Sequence, residues 1–137
     1  MTTSAAMMET IICAYAARDK GDIDGLMAAF HPNAVFELAG ASHAPEVTGA
    51  ANGHGHIRTA LADFIAAFEF IKRDIIGSIV ERDRAAVHSR LQVRFIPNNH
   101  RFTSEVLDVI TFKDGKIIEL VEFADPALIK HATSNPP

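Results

Sequence analysis

The stretch AVHSRLQVRFIPNNHRFTSEVLDVITFKDGKIIELVEFA, residues 86–124, decides the fold. Val87, Leu91, Val93 and Phe95 alternate with His88, Arg90, Gln92 and Arg94, the two-residue period of a strand with one apolar face. Turn residues punctuate the stretch at Pro97-Asn98-Asn99 and Asp114-Gly115, and Asp83-Arg84 precede it. Strands are predicted over 70–81, 86–96, 102–112 and 116–124. Strands in series joined by tight turns pair antiparallel.

Upstream the period changes. Ile57, Ala60, Leu61, Phe64, Ile65 and Phe68 follow the i, i+3, i+4, i+7 template of an amphipathic helix. A helix over 4–19 is predicted from Met8, Ile11, Ile12 and Tyr15, with Thr3 or Ser4 as its cap and Gly21 as its stop. A second helix over 22–30 is capped by Asp22 and ended by Pro32. AVFEL (34–38) reads as a short strand, and 39–53 as a long loop rich in Gly and Ala. Helices first and sheet after is the α+β order. A curved, mostly antiparallel sheet wrapped around three N-terminal helices makes a conical barrel with an open mouth, a natural small-molecule pocket.

The 137 residues form one domain, with 1–3 and 132–137 expected to fray. The charge of −4, without any basic block, argues against nucleic acid. No apolar stretch is long enough to cross a membrane. The start lacks a basic segment and Glu9 interrupts its apolar run, unlike a secretory signal. The single Cys13, expected to be buried and inert, cannot form an internal disulfide, which points to the cytoplasm.

GDIDGLMAAFHPNAVFEL (21–38), GHGHI (53–57) and FKDGKIIELVEFADPALI (112–129) resemble the nuclear transport factor 2-like superfamily. Within it they are most similar to SnoaL-like polyketide cyclases and ketosteroid isomerase-like proteins. The resemblance implies a conical α+β barrel of the cystatin-like type, an apolar pocket and a homodimer through the outer sheet face. Ketosteroid isomerases use a carboxylate base ending the first strand, a Tyr on the first helix and a protonated Asp on a late strand, which apolar surroundings keep neutral. Those positions fall on Leu38, Ala14 and Asp108. Tyr15 lies one residue out of phase, about 100° of rotation, so its hydroxyl is expected to aim elsewhere. The Arg-x-Asp pair of limonene epoxide hydrolases falls near His88-x-Arg90, with Asp125 at their second Asp.

Residue by residue, Asp108 shares a face with Val106, Ile110 and Phe112, and desolvation there favours its neutral form. With a three-residue turn and a bulge, Asp108 pairs with Leu120, and Glu122 is its diagonal neighbour about 7–8 Å away. A strict two-residue turn puts Glu122 on the opposite face. An Arg-paired, structural Glu122 is the plainer alternative. His54 and His56 at the helix entry are base candidates; as metal ligands they have only His43 and Glu46 nearby, so no metal and no cofactor is assigned. Tyr15, Phe30, Phe36, Leu38, Phe64, Leu91, Val93, Phe112 and Leu120 are the candidate substrate-binding wall. The leading reading is a cofactor-free isomerase, cyclase or dehydratase for a small lipophilic molecule. Asp108 donates the proton, with Glu122, His54 or His56 as base. The alternative is a non-catalytic binding or dimerisation module, which Leu38 and Ala14 at the isomerase positions favour, as would Asp108 locked to an Arg.

Overall fold

The computed structural model describes residues 3–40, 49–134 and 136. Chain order is α1 (Ser4–Lys20), α2 (Ile23–Met27), β1 (Phe30–Leu38), β2 (Gly49–Asn52), α3 (His54–Ala67), β3 (Phe68–Glu81), β4 (Arg84–Phe95), β5 (His100–Lys113), β6 (Lys116–Phe123) and α4 (Pro126–Ser134). The strands form one curved, unclosed sheet ordered β2-β1-β6-β5-β4-β3. All neighbours are antiparallel except β1 and β6, which run parallel. Among the described residues no helix is long and apolar enough to cross a membrane.

Local chemistry explains the boundaries. Thr3 caps α1 by accepting from the Ala6 amide at 3.1 Å, and Gly21 closes it in the left-handed conformation at φ 76°. Asp22 caps α2 through the Gly25 amide at 3.0 Å. That helix is shorter than the sequence pattern suggests. It ends at Met27, and Pro32 lies inside β1, where the pairing with β6 is irregular between Phe30 and Val35. The irregularity tolerates a residue that has no amide hydrogen to donate. The loop expected over 39–53 contains β2, which pairs with the end of β1.

Three expectations need correction. First, α1 buries Met7, Ile11, Ala14, Ala17 and Arg18, a stripe rotated from the expected Met8–Ile11–Ile12–Tyr15; Ile12 is 52% exposed. Met7 and Ala14 can pack closely against the sheet, and Met8 and Tyr15 flank them. Second, the same rotation leaves Cys13 exposed, not buried. Third, the C-terminal segment does not fray from 132. Residues 126–134 form α4, Ala132 is fully buried, and its carbonyl accepts from Asn98 Nδ2 at 2.7 Å.

The sheet carries three bulges that place the site. Ile71 and Ile76 are extra residues of β3 against β4, and Ile118 is an extra residue of β6 against β5. Each reverses which residues downstream face the cone. The inner face of β4 presents Ala85, Val87, Ser89, Leu91 and Val93, all buried, as the alternation predicts.

The rotated stripe is testable. Ile11→Ala should cost about 2–5 kcal/mol in urea unfolding, whereas Ile12→Ala should stay within about 0.5 kcal/mol of the parent. Equal costs would show that the helix buries the other face.

Candidate functional site

Inside the cone lies a cavity of about 120 Å³, lined by residues from α1, α2, α3, α4 and strands β1 and β3 to β6. Its walls are almost wholly apolar. Phe30, Phe36, Leu38, Phe64, Leu91, Val93 and Leu120 line it, as expected from the sequence, and so does Tyr15. Phe112 does not; it packs into the main core at 4% exposure. Phe68, Phe70 and Phe102 complete the aromatic wall.

Two carboxyls share this apolar space. Asp108 and Glu122 stand directly opposite each other across β5 and β6. The hairpin achieves this by an unexpected route. Its turn has two residues, Asp114 and Gly115, both at positive φ, with Lys113 paired to Lys116. Unaided, that turn would send Glu122 outward. The extra residue Ile118 restores the phase, so Asp108 faces Glu122 and not Leu120. The expected diagonal relation is therefore corrected to a direct one. Facing carboxyls on one side of a ladder have Cβ atoms about 5 Å apart, close enough to exchange a proton.

Tyr15 donates to Asp108 Oδ2 at 2.6 Å. The expectation that its hydroxyl would aim elsewhere is overturned. Tyr15 sits on the flank of the buried stripe, and its long ring spans the lateral distance that one residue of rotation introduces. Asp108 Oδ1 is fully buried and has no conventional donor among the described residues. Glu122 lies within hydrogen-bonding reach of Asp108. A proton on Glu122 supplies the missing donor.

The electrostatics follow from this layout. Burial raises the Asp108 pKa, and the hydrogen bonds from Glu122 and Tyr15 and the charge of Arg73 oppose the rise. Burial pushes the Glu122 pKa well up, and the charge of Asp108 adds to it. Glu122 is half-buried and lines the cavity. The Tyr15 hydroxyl is raised by burial and by Asp108, so it stays a neutral donor. The negative charge therefore rests mainly on Asp108 and the proton on Glu122, though the two titrate as one unit.

Two arginines complete the lining, and sequence reasoning missed both. Arg73 Nε and Nη2 clamp Asp19 at 3.0 Å each, and the guanidinium lies 3.9 Å from the centre of the Tyr15 ring. Arg18 is 8% exposed, stacks on Phe70 at 3.7 Å and donates through Nη2 to the Phe68 carbonyl at 3.0 Å. Burial lowers its pKa to about 10, yet it stays charged at neutral pH. A charged residue at helical spacing after Met7, Ile11 and Ala14 was the available signal for Arg18. Arg73 had none, because simple alternation from Phe70 points Lys72 inward and only the bulge at Ile71 substitutes Arg73.

The histidines do not reach the cavity. His54 Nε2 is 3.1 Å from the Met27 carbonyl, and His56 is exposed on α3. His43 and Glu46 lie outside the described residues. His88 and Arg90 meet Glu105 on the outer face at 3.1 and 3.3 Å.

The sequence and the fold point to one class. A SnoaL-like domain model matches residues 13–120, and the chain belongs to that family, within the nuclear transport factor 2-like superfamily. No curated protein matches its sequence. Among solved structures it is similar to a candidate isomerase from Bacillus subtilis, with 19% identity over 97% of this chain and 96% of that one and a TM-score of 0.86. It is also similar to TerC co-crystallised with polyporic acid (20% identity, 95% and 99% covered, TM-score 0.81). A third similar structure is an epoxide hydrolase of the LEH-like type from M. tuberculosis (17% identity, 94% and 90% covered, TM-score 0.75). At such identities the likeness is one of fold.

The acid pair predicts a pH dependence of stability. Both carboxyls bind protons more tightly in the folded chain than in the unfolded one. Their stabilising effect is complete below the unfolded pKa values, near 4, and is lost as pH rises through the folded ones. Stability should therefore fall from mildly acid towards neutral pH, by at most about 1.4 kcal/mol per pH unit for each proton retained. Urea unfolding of the double variant Asp108→Asn/Glu122→Gln should lack this slope. An unchanged slope would contradict the assignment.

Proposed function

We propose that this SnoaL-like chain is a cofactor-free acid–base enzyme that isomerises, cyclises or dehydrates a small lipophilic molecule in its apolar cone. The observation that carries the reading is the facing pair Asp108–Glu122, one oxygen of which has no donor unless the other carboxyl is protonated. Both carboxyls line the cavity, but Asp108 is only 1% exposed while Glu122 is half-buried, so Glu122 is the more accessible of the two. Glu122 is thus the group that meets substrate, and Asp108 with Tyr15 positions and charges it. This exchanges the roles expected from the sequence, where Asp108 donates.

The proposed cycle conserves protons. Glu122 gives its proton to one substrate atom, which leaves two negative carboxylates side by side in an apolar site. That state is unfavourable, so the pair takes a proton back from another substrate atom. The net change is an isomerisation, or an elimination of water when the first proton goes to a hydroxyl leaving group. The apolar wall excludes water and strengthens each interaction of the pair.

Leu38 favours the non-catalytic reading, because it lines the cavity where the isomerases carry their base. Against it stands the partner of Asp108, which is Tyr15 and not an arginine. We also propose a homodimer through the outer sheet face, where Leu107, Phe123 and Ile79 are exposed beside the charged His88, Arg90 and Glu105. A cytoplasmic setting suits the exposed thiol of Cys13.

A panel of lipophilic ketones and enones in deuterium oxide, followed by proton NMR, tests the enzyme. The parent should wash deuterium into a carbon next to the carbonyl or into its conjugated position. Glu122→Gln should slow this roughly 10²-fold or more. Ligand binding with pH-independent affinity and no exchange would leave only the binding module.

A further inference from the structure

Arg18 is a buried cation that the acid–base cycle does not use. Its neighbour Arg73 is neutralised by the two-point clamp of Asp19. Arg18 has no such partner. Among the described residues no carboxylate stands within ion-pair distance of it, and only its Nη2 makes hydrogen bonds, at 3.0 Å to the Phe68 carbonyl and 3.5 Å to that of Phe64. Those carbonyls belong to the C-terminal end of α3, where a cation is favourably placed. Capping a helix end uses one nitrogen. The guanidinium offers five N–H donors, and Nε and Nη1 have no acceptor among the described residues.

Its setting gives the remaining donors a direction. Arg18 lines the cavity, and Phe70 covers one face of the guanidinium at 3.7 Å. Stacking fixes the plane of the fork, so its free edge is presented in one orientation. Phe64, Phe68 and Phe102 form apolar walls around the same space. The other charged or titratable groups lining it are Glu122, Asp108, Tyr15 and Arg73. Asp108 is satisfied by Tyr15 and Glu122, and the proton on Glu122 stops that residue from neutralising Arg18. A planar cation with free donors inside an aromatic box suits a flat molecule with an anionic oxygen.

We propose that the substrate is a lipophilic aromatic or conjugated acid, and that Arg18 pairs with its carboxylate or ionised enol oxygen. This rests on the cavity being the small-molecule site. Arg18 then fixes the anionic oxygen of the ligand in the same cavity that Glu122 lines.

The test is titration calorimetry with 2-naphthoate and its neutral counterpart 2-naphthamide at neutral pH. The parent should bind naphthoate at least about tenfold more tightly, the usual scale of one charge-assisted pair. Arg18→Gln, which keeps a donor for the Phe68 carbonyl, should lose that preference without losing naphthamide. Arg18→Lys should keep part of it. Equal affinity of the parent for both probes would overturn the proposal and leave the cavity reading intact. So would a preference that survives in Arg18→Gln, which would make Arg18 a helix cap alone. Binding of neither probe would overturn the proposal and the cavity reading together. The parent comparison decides even if a variant does not fold.

Discussion

Two carboxyls placed side by side in an apolar hollow cannot both be charged. That constraint organises the interior of this chain. Asp108 and Glu122 face each other across a ladder in apolar surroundings, with Tyr15 on one oxygen of the pair. Desolvation favours neutral acids, and the mutual charge sets a limit of one negative charge on the two. The surroundings decide where that charge sits. Tyr15 donates to Asp108, and among the described residues nothing comparable donates to Glu122, so the proton stays on Glu122.

The rest of the fold serves this arrangement. The sheet curves around the cavity, helices α1 and α3 cover it, and the C-terminal α4 contributes Ile129 to its lining. Two of the single-residue bulges are functional in this sense. Ile71 brings Arg73 inward, Ile118 brings Glu122 inward, and neither residue would reach the cone on a regular strand. Arg73, held by Asp19, lies over the Tyr15 ring and so fixes the donor of Asp108. The site therefore has a layered logic: an ion pair steadies an aromatic ring, the ring steadies an acid, and the acid sets the proton on its neighbour.

Much of this architecture was legible in the residue order. The alternation of 86–95 identified the inner face of β4 correctly, and the helical spacing from Ile57 to Phe68 identified α3. Most of the cavity wall followed from the same two periods. The failures have a common physical cause. Periodicity assumes an unbroken element, and a bulge shifts the phase by one residue without any mark in a β-branched stretch such as FIKRDII (70–76). Arg73 was invisible for that reason, and Glu122 was expected on the face of Asp108 but as a diagonal neighbour, because the extra residue Ile118, which makes the pairing direct, leaves no mark either. On α1 the error was rotational. Alanines at 14 and 17 are small enough to lie against the sheet, so the buried stripe runs through them and not through the larger Ile12. The short α4 was missed because its apolar positions are few, and its burial depends on contacts with β5 and Asn98 distant in the chain.

The central claim is that one proton remains on the Asp108–Glu122 pair at neutral pH. Carboxyl carbon-13 NMR of the protein labelled at Asp and Glu side chains measures it directly. The account predicts that Glu122 keeps the shift of a protonated carboxyl through neutral pH, and that Tyr15→Phe moves the titration of the pair upward. If both carboxyls show ionised shifts by pH about 5, where ordinary Asp and Glu have titrated, the shared proton does not exist and the acid–base account fails.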